Sequence, residues 1–128
     1  MGRTKQLGDL QIAIMRALWT LGEGTVAQVR DALTEERELA PTTVATVLSR
    51  LEKGGLIVHH TENRQFIYRP LVSKTELLRM MVKDLVERLF QGDQTALVSH
   101  LLHESEISAG DLKRVKAMIA AKEKRAKA

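Results

Sequence analysis

Residues 40–69 read APTTVATVLSRLEKGGLIVHHTENRQFIYR, and the fold turns on how this stretch is parsed. Val44, Val47, Leu48 and Leu51 recur at helical spacing and form one apolar face, which predicts a buried stripe. The other face carries Thr43, Thr46, Arg50 and Lys53, with Thr42 and Ser49 beside them, and Glu52 is its one acid. Solvated helices usually mix long acids and bases there. Hydroxyls and an arginine on a slim helix suit close approach to base edges in a DNA major groove. Gly54-Gly55 end the helix. Leu56 and Val58, then Phe66 and Tyr68, alternate as strand residues, with Asn63-Arg64 between the strands and Pro70 as a stop. A helix followed by such a ribbon is the reading head of a winged helix-turn-helix.

Working outward, Leu10, Ile14, Ala17, Leu18 and Leu21 predict an amphipathic helix over 9–21, closed by Gly22 and Gly24. Thr25-Val-Ala-Gln28 is a capping box, and it opens a second helix with Val26, Val29 and Leu33 inward. Pro41 suits a first helical position. Ala40 offers no side-chain cap, so the amides of Thr42 and Thr43 are left to a DNA phosphate or to water.

After the ribbon, Ser73-Lys-Thr-Glu76 is another capping box. It starts a helix with Leu77, Leu78, Met81, Val82, Leu85, Val86 and Leu89 on one broad face. Gly92-Asp93 breaks the chain before a short helix with Ala96, Leu97, Leu101 and Leu102 on one side and Val98 at its flank. A last helix, opened by Ser108 to Asp111, turns Leu112, Val115, Met118 and Ile119 inward and frays beyond Lys122. The expected class is mainly α with a small β-hairpin, divided into a winged helix-turn-helix over 1–72 and a three-helix domain over 73–128. The last 56 residues are few for an independent core. Their apolar surplus is expected to meet a second copy, through Leu78, Met81, Val82, Leu85, Leu89, Leu97, Leu101 and Val115.

Composition narrows the function. Net charge is +4, but residues 1–72 hold nine Lys/Arg against eight Asp/Glu and residues 73–128 hold eleven against eight. A DNA argument therefore rests on placement, not on total charge. Aromatics make up 3%, too few for a single-strand RNA stacking platform. The absence of cysteine removes disulfides and thiolate metal sites. No apolar run reaches the roughly 18 residues of a membrane span, and MGRTKQLGD is no signal sequence, so a cytoplasmic protein without membrane insertion is expected. No nucleophile-base order, phosphate loop or carboxylate cluster points to an enzyme, and no cofactor is expected.

The candidate DNA contacts are Thr42, Thr43, Thr46, Arg50 and Lys53 on the helix, Arg64 at the ribbon tip, and Thr25 at a helix start where its cap role already accounts for it. Threonine methyls can meet thymine methyls, and Arg50 suits guanine or phosphate. His59 and His60 are neighbours on a strand and point apart. His100, His103 and Glu104 supply too few ligands for a metal site by themselves, yet they leave a metal-responsive regulator as an alternative. A winged helix that only binds protein is a further one.

LGDLQIAIMRALW, TVAQVRDAL, PTTVATVLSRLEKGGLI, NRQFIYRPL and FQGDQTALVSHLL together resemble the penicillinase-repressor family, the BlaI/MecI-type winged-helix repressors, nearly end to end. The resemblance implies a homodimer on a pseudo-palindromic operator, often with a TACA/TGTA core, that represses a resistance or stress operon. In staphylococcal members a membrane sensor-protease pathway releases the repressor by cleavage at an Asn-Phe bond, and this chain contains no Asn-Phe dipeptide. The related copper-responsive type uses Cys-x-Cys motifs, which a chain without cysteine cannot supply.

Overall fold

The computed structural model describes residues 6–104 and 106–127. The elements run α1 (Asp9–Leu21), α2 (Val26–Ala32), α3 (Pro41–Lys53), β1 (Ile57–Glu62), β2 (Gln65–Pro70), α4 (Lys74–Leu89), α5 (Gln94–Glu104) and α6 (Ala109–Lys127). They fall into two compact units that divide between Leu85 and Val86, inside α4. The division expected at 72/73 precedes that helix. The difference has a cause: Leu77 is buried in the core of the first unit, and Met80 and Met81 pack against it.

That core is built from Ile14, Met15 and Leu18 of α1, Val29 of α2, the Val44, Val47, Leu48 and Leu51 stripe of α3, and Leu56, Ile57 and Tyr68. Helical periodicity places all the helical members but Met15, and strand alternation names Leu56 and Tyr68 but not Ile57, while Leu21 lies at the end of α1 and is exposed. Trp19 packs at the edge of the core, and its indole N–H donates to the Val72 carbonyl (2.9 Å). At the end of α1, Gly22 takes a left-handed φ of 83°, and its amide donates to the Leu18 carbonyl. Gly24 does something else. It exchanges both backbone hydrogen bonds with Tyr68 (2.9 and 2.8 Å), adding a one-residue third strand to the ribbon. It is buried, and a Cβ there would meet Leu21 Cδ1 at 3.2 Å, so the glycine allows close backbone approach.

The ribbon pairs Ile57 with Pro70, His59 with Tyr68 and Thr61 with Phe66, antiparallel. Directly paired residues share a face. The inward side of β1 is therefore Ile57 and His59 and not Val58, because Leu56 is spent before the strand starts. Phe66 and Tyr68 alternate onto one face of β2 as expected, but Phe66 is 47% exposed, so burial on that face stops short of the tip. Between the strands Asn63 (φ 50°) and Arg64 (φ 66°) are both left-handed, as a two-residue type I′ turn requires.

In the second unit, Gln91 (φ 48°) and Gly92 (φ 83°) turn the chain after α4, and the Gly92 amide donates back to the Val86 carbonyl (2.9 Å). Asp93 caps α5 through the Ala96 amide (3.1 Å), and Ser108 caps α6 through the Asp111 amide (3.0 Å). α6 runs on to Lys127, past the expected fray at Lys122, since its last turns alternate alanine with charged residues of good helix propensity. Neither α5 nor α6 buries a described residue.

Candidate nucleic-acid interface

α3, the helix expected to meet DNA, is held from behind. Burial of Val44, Val47, Leu48 and Leu51 fixes the rotation of α3 and leaves Thr42, Thr43, Thr46, Ser49, Arg50 and Lys53 all exposed on the opposite side. At the start of α3, Pro41 occupies the first turn and Ala40 makes no side-chain cap. Of the two amides expected to be left to phosphate or water, that of Thr43 donates to the Ala40 carbonyl (3.1 Å), closing a tighter first turn. The threonines also differ from one another. The Thr46 hydroxyl donates its proton to the Thr42 carbonyl (2.9 Å), so the oxygen is left able only to accept, beside the γ-methyl.

Arg64 and Arg69 are exposed on the ribbon. Thr25 caps α2 as its spacing implies: its hydroxyl accepts from the Gln28 amide (3.2 Å), and Gln28 Oε1 accepts from the Thr25 amide (2.9 Å). Thr25, Arg30, Pro41 and Phe66 border one cleft of about 370 Å³, so the starts of α2 and α3 and the outer half of β2 are neighbours. The site thus has three parts: the α3 ridge, the ribbon tip and the first turn of α2.

One group of contacts is not announced by the sequence pattern. Glu52, in the last turn of α3, accepts from the His59 amide (3.1 Å), and its two carboxylate oxygens lie 2.7 and 2.8 Å from His59 Nδ1. The His59 ring stacks on Phe66 (centroids 3.9 Å apart, planes 17°) and tilts against Tyr68 at 5.5 Å. Burial first, and the Glu52 charge second, push the Tyr68 hydroxyl above its ordinary pKa. The available signal was Glu52 itself, an acid standing alone on a basic face. His60 points the other way, to Glu62 (3.0 Å).

The remaining histidines behave differently. His103 Nδ1 donates to the Ser99 carbonyl (2.8 Å), and His100 makes an edge contact with the Phe90 ring. Among the described residues no three His, Cys, Asp or Glu side chains gather as a metal site, and none of the helices is long and apolar enough to cross a membrane.

Comparison with known proteins agrees with this geometry. The penicillinase repressor family model matches residues 7–121. The transcriptional regulator BlaI of Mycobacterium tuberculosis is 36% identical over 116 residues, covering 89% of this chain and 84% of its own. The penicillinase repressor of Bacillus licheniformis is 24% identical over 112 residues, covering 88% of each. Among solved structures, the DNA-binding domain of the repressor BlaI superimposes with a TM-score of 0.52 at 29% identity, over 59% of this chain and 93% of that one. A chain of the hsRosR-S4 complex, 17% identical, aligns over 96% of this chain and 95% of its own with a TM-score of 0.53, a likeness of fold alone. A winged helix with an exposed hydroxyl-and-arginine ridge, matched nearly throughout by one family, places the chain in the penicillinase-repressor family of DNA-binding transcriptional repressors.

Proposed function

We propose that this chain represses transcription in the cytoplasm as a homodimer, seating two copies of α3 in successive major grooves of a pseudo-palindromic operator. It acts by occupying DNA and not by catalysis. Residues 1–72 read DNA and residues 73–128 hold the pair together. Thr42, Thr43, Thr46 and Arg50 choose sequence, while Lys53, Arg64 and Thr25 meet backbone. The observation that carries this reading is the α3 ridge, whose Thr42, Thr43, Thr46, Arg50 and Lys53 are exposed while its back is locked into the core.

The pairing of copies is supported by what the second unit leaves uncovered. Leu89 is 66% exposed, Met118 64% and Ile119 49%, and Leu101, Leu102 and Leu112 are exposed with them. Earlier in α4, Leu78 is 60% exposed and Val82 is exposed too. Of the other residues assigned to the interface, Met81, Leu85, Leu97 and Val115 are half-buried within one chain. Apolar surface of this extent marks an interaction site in a protein that stays in solution. A two-fold pair would set its half-sites about 34–36 Å apart or at a multiple of that.

The test is titration of the full chain into a duplex bearing a TACA/TGTA inverted repeat at several salt concentrations. Binding should weaken steeply, with a log–log slope near −0.9 per phosphate neutralised. Leu89→Lys, on an exposed position, should convert a dimer to a monomer by light scattering and weaken operator binding with it. Binding that ignores salt, or a monomeric wild type, would overturn the proposal.

A further inference from the structure

Glu52 poses an electrostatic problem for a helix that approaches DNA, because a carboxylate near phosphates repels them. The structure shows what occupies it. Both carboxylate oxygens are engaged by His59, through the β1 backbone amide and through Nδ1. That ring then stacks on Phe66 of β2, two residues beyond Arg64 at the turn. A two-stranded hairpin is marginal by itself. Here its base is pinned by the Gly24–Tyr68 bridge, and the half nearer the tip is tied to α3 through Glu52, His59 and Phe66. The type I′ turn sets the backbone at Arg64 with both central residues left-handed.

We propose that Glu52 and His59 are positioning residues: they fix the angle of the ribbon against the recognition helix, and so place the Arg64 guanidinium at the DNA backbone. This rests on the proposed DNA-reading role of α3 and the ribbon. It makes a prediction opposite in sign to simple charge counting. Removing an acid from a DNA-facing helix should tighten binding if that acid is merely solvated. Loss of the tie should loosen it.

The full-length protein is titrated into the TACA/TGTA inverted-repeat duplex across a salt series. Glu52→Ala should weaken binding about tenfold and flatten the salt slope by about 0.9 per protomer, the signature of one lost phosphate contact. Arg64→Ala should do the same. Glu52→Ala with Arg64→Ala should lose no more than Arg64→Ala alone, because the first acts through the second. Glu52→Gln, whose amide oxygen still accepts from His59, should restore wild-type affinity or exceed it. If Glu52→Ala melts below the assay temperature, His59→Leu, which keeps an apolar partner for Phe66, reads the same coupling. Unchanged or tighter binding by Glu52→Ala, or losses that simply add to those of Arg64→Ala, would overturn the positioning role while leaving the DNA-reading role standing. A wild type indifferent to the duplex at low salt would overturn both.

Discussion

Thr46→Asp puts a carboxylate at the middle of the α3 ridge, one turn after Thr42 and one turn before Arg50. The position is exposed, so folding should barely register the change, within about 0.5 kcal/mol. Binding should register it heavily. A carboxylate about 8 Å from a phosphate costs roughly 0.5 kcal/mol in a fully aqueous dielectric, and several phosphates line the groove. Enclosure against base edges adds several kcal/mol for an unpaired buried charge. The new acid would also compete with DNA for the Arg50 guanidinium, four residues along the same face. Together these make about 4 kcal/mol a modest figure, or roughly a thousandfold in Kd. Fluorescence anisotropy with the inverted-repeat duplex measures the loss, and a thermal melt with light scattering checks that fold and assembly survive. A companion pair separates methyl from hydroxyl. Since the Thr46 hydroxyl is bonded to the Thr42 carbonyl, Thr46→Val should bind nearly as wild type, and Thr46→Ser should lose affinity for thymine over uracil at the contacted step. Affinity within threefold of wild type for Thr46→Asp would refute the placement of α3 in the groove.

Two further outcomes follow from local geometry. Arg64→Gly removes the guanidinium but relieves a left-handed backbone (φ 66°) that costs a non-glycine residue about 1 kcal/mol, so operator affinity should fall while the melting temperature holds or rises; a falling melting temperature would contradict the turn assignment. At the start of α4, the Ser73 amide and hydroxyl hold the Glu76 carboxyl below its ordinary pKa. A depressed carboxyl stabilises above its unfolded pKa, and that share is lost as pH falls through the folded one. Urea midpoints should therefore drop on acidification more steeply in the wild type than in Ser73→Ala.

How much of this was legible beforehand depended on whether a residue's burial is decided locally. The α3 stripe was readable because four apolar positions at helical spacing admit one orientation, and the ridge follows as its complement. The two capping boxes at Thr25 and Ser73, and the single cap at Ser108, were readable because they close within four residues. Strand facing was not. Leu56, Ile57 and Val58 are consecutive and apolar, so a shift of one residue exchanges inside and outside at no compositional cost. The inward face is the one that carries buried Tyr68, whose backbone is bridged to Gly24, 44 positions away in sequence. For the same reason the Glu52–His59 tie could not be read. It depends on the ribbon folding back on α3, and spacing along the chain records nothing of that.

The second unit marks a different boundary to what pattern can say. The amphipathic faces of α4, α5 and α6 identify which residues seek burial, and Leu77 and Val86 find it. Periodicity does not say whether a partner lies in the same chain. Leu77 reads like Leu78, yet one is 4% exposed in the winged-helix core and the other 60% exposed. Adjacent positions on a helix stand about 100° apart, so a single broad apolar arc can serve two cores, one edge within the chain and the other beyond it. Such a division couples the two tasks. On the proposed pairing, the edge of α4 that carries Leu77 is buried in the winged-helix core while the edge that carries Leu78 meets a second copy, so dimer contacts and DNA binding share one helix. A substitution at Leu78 or Leu89 should then alter operator spacing preference as well as mass, and half-site spacing scanned one base pair at a time would show whether it does.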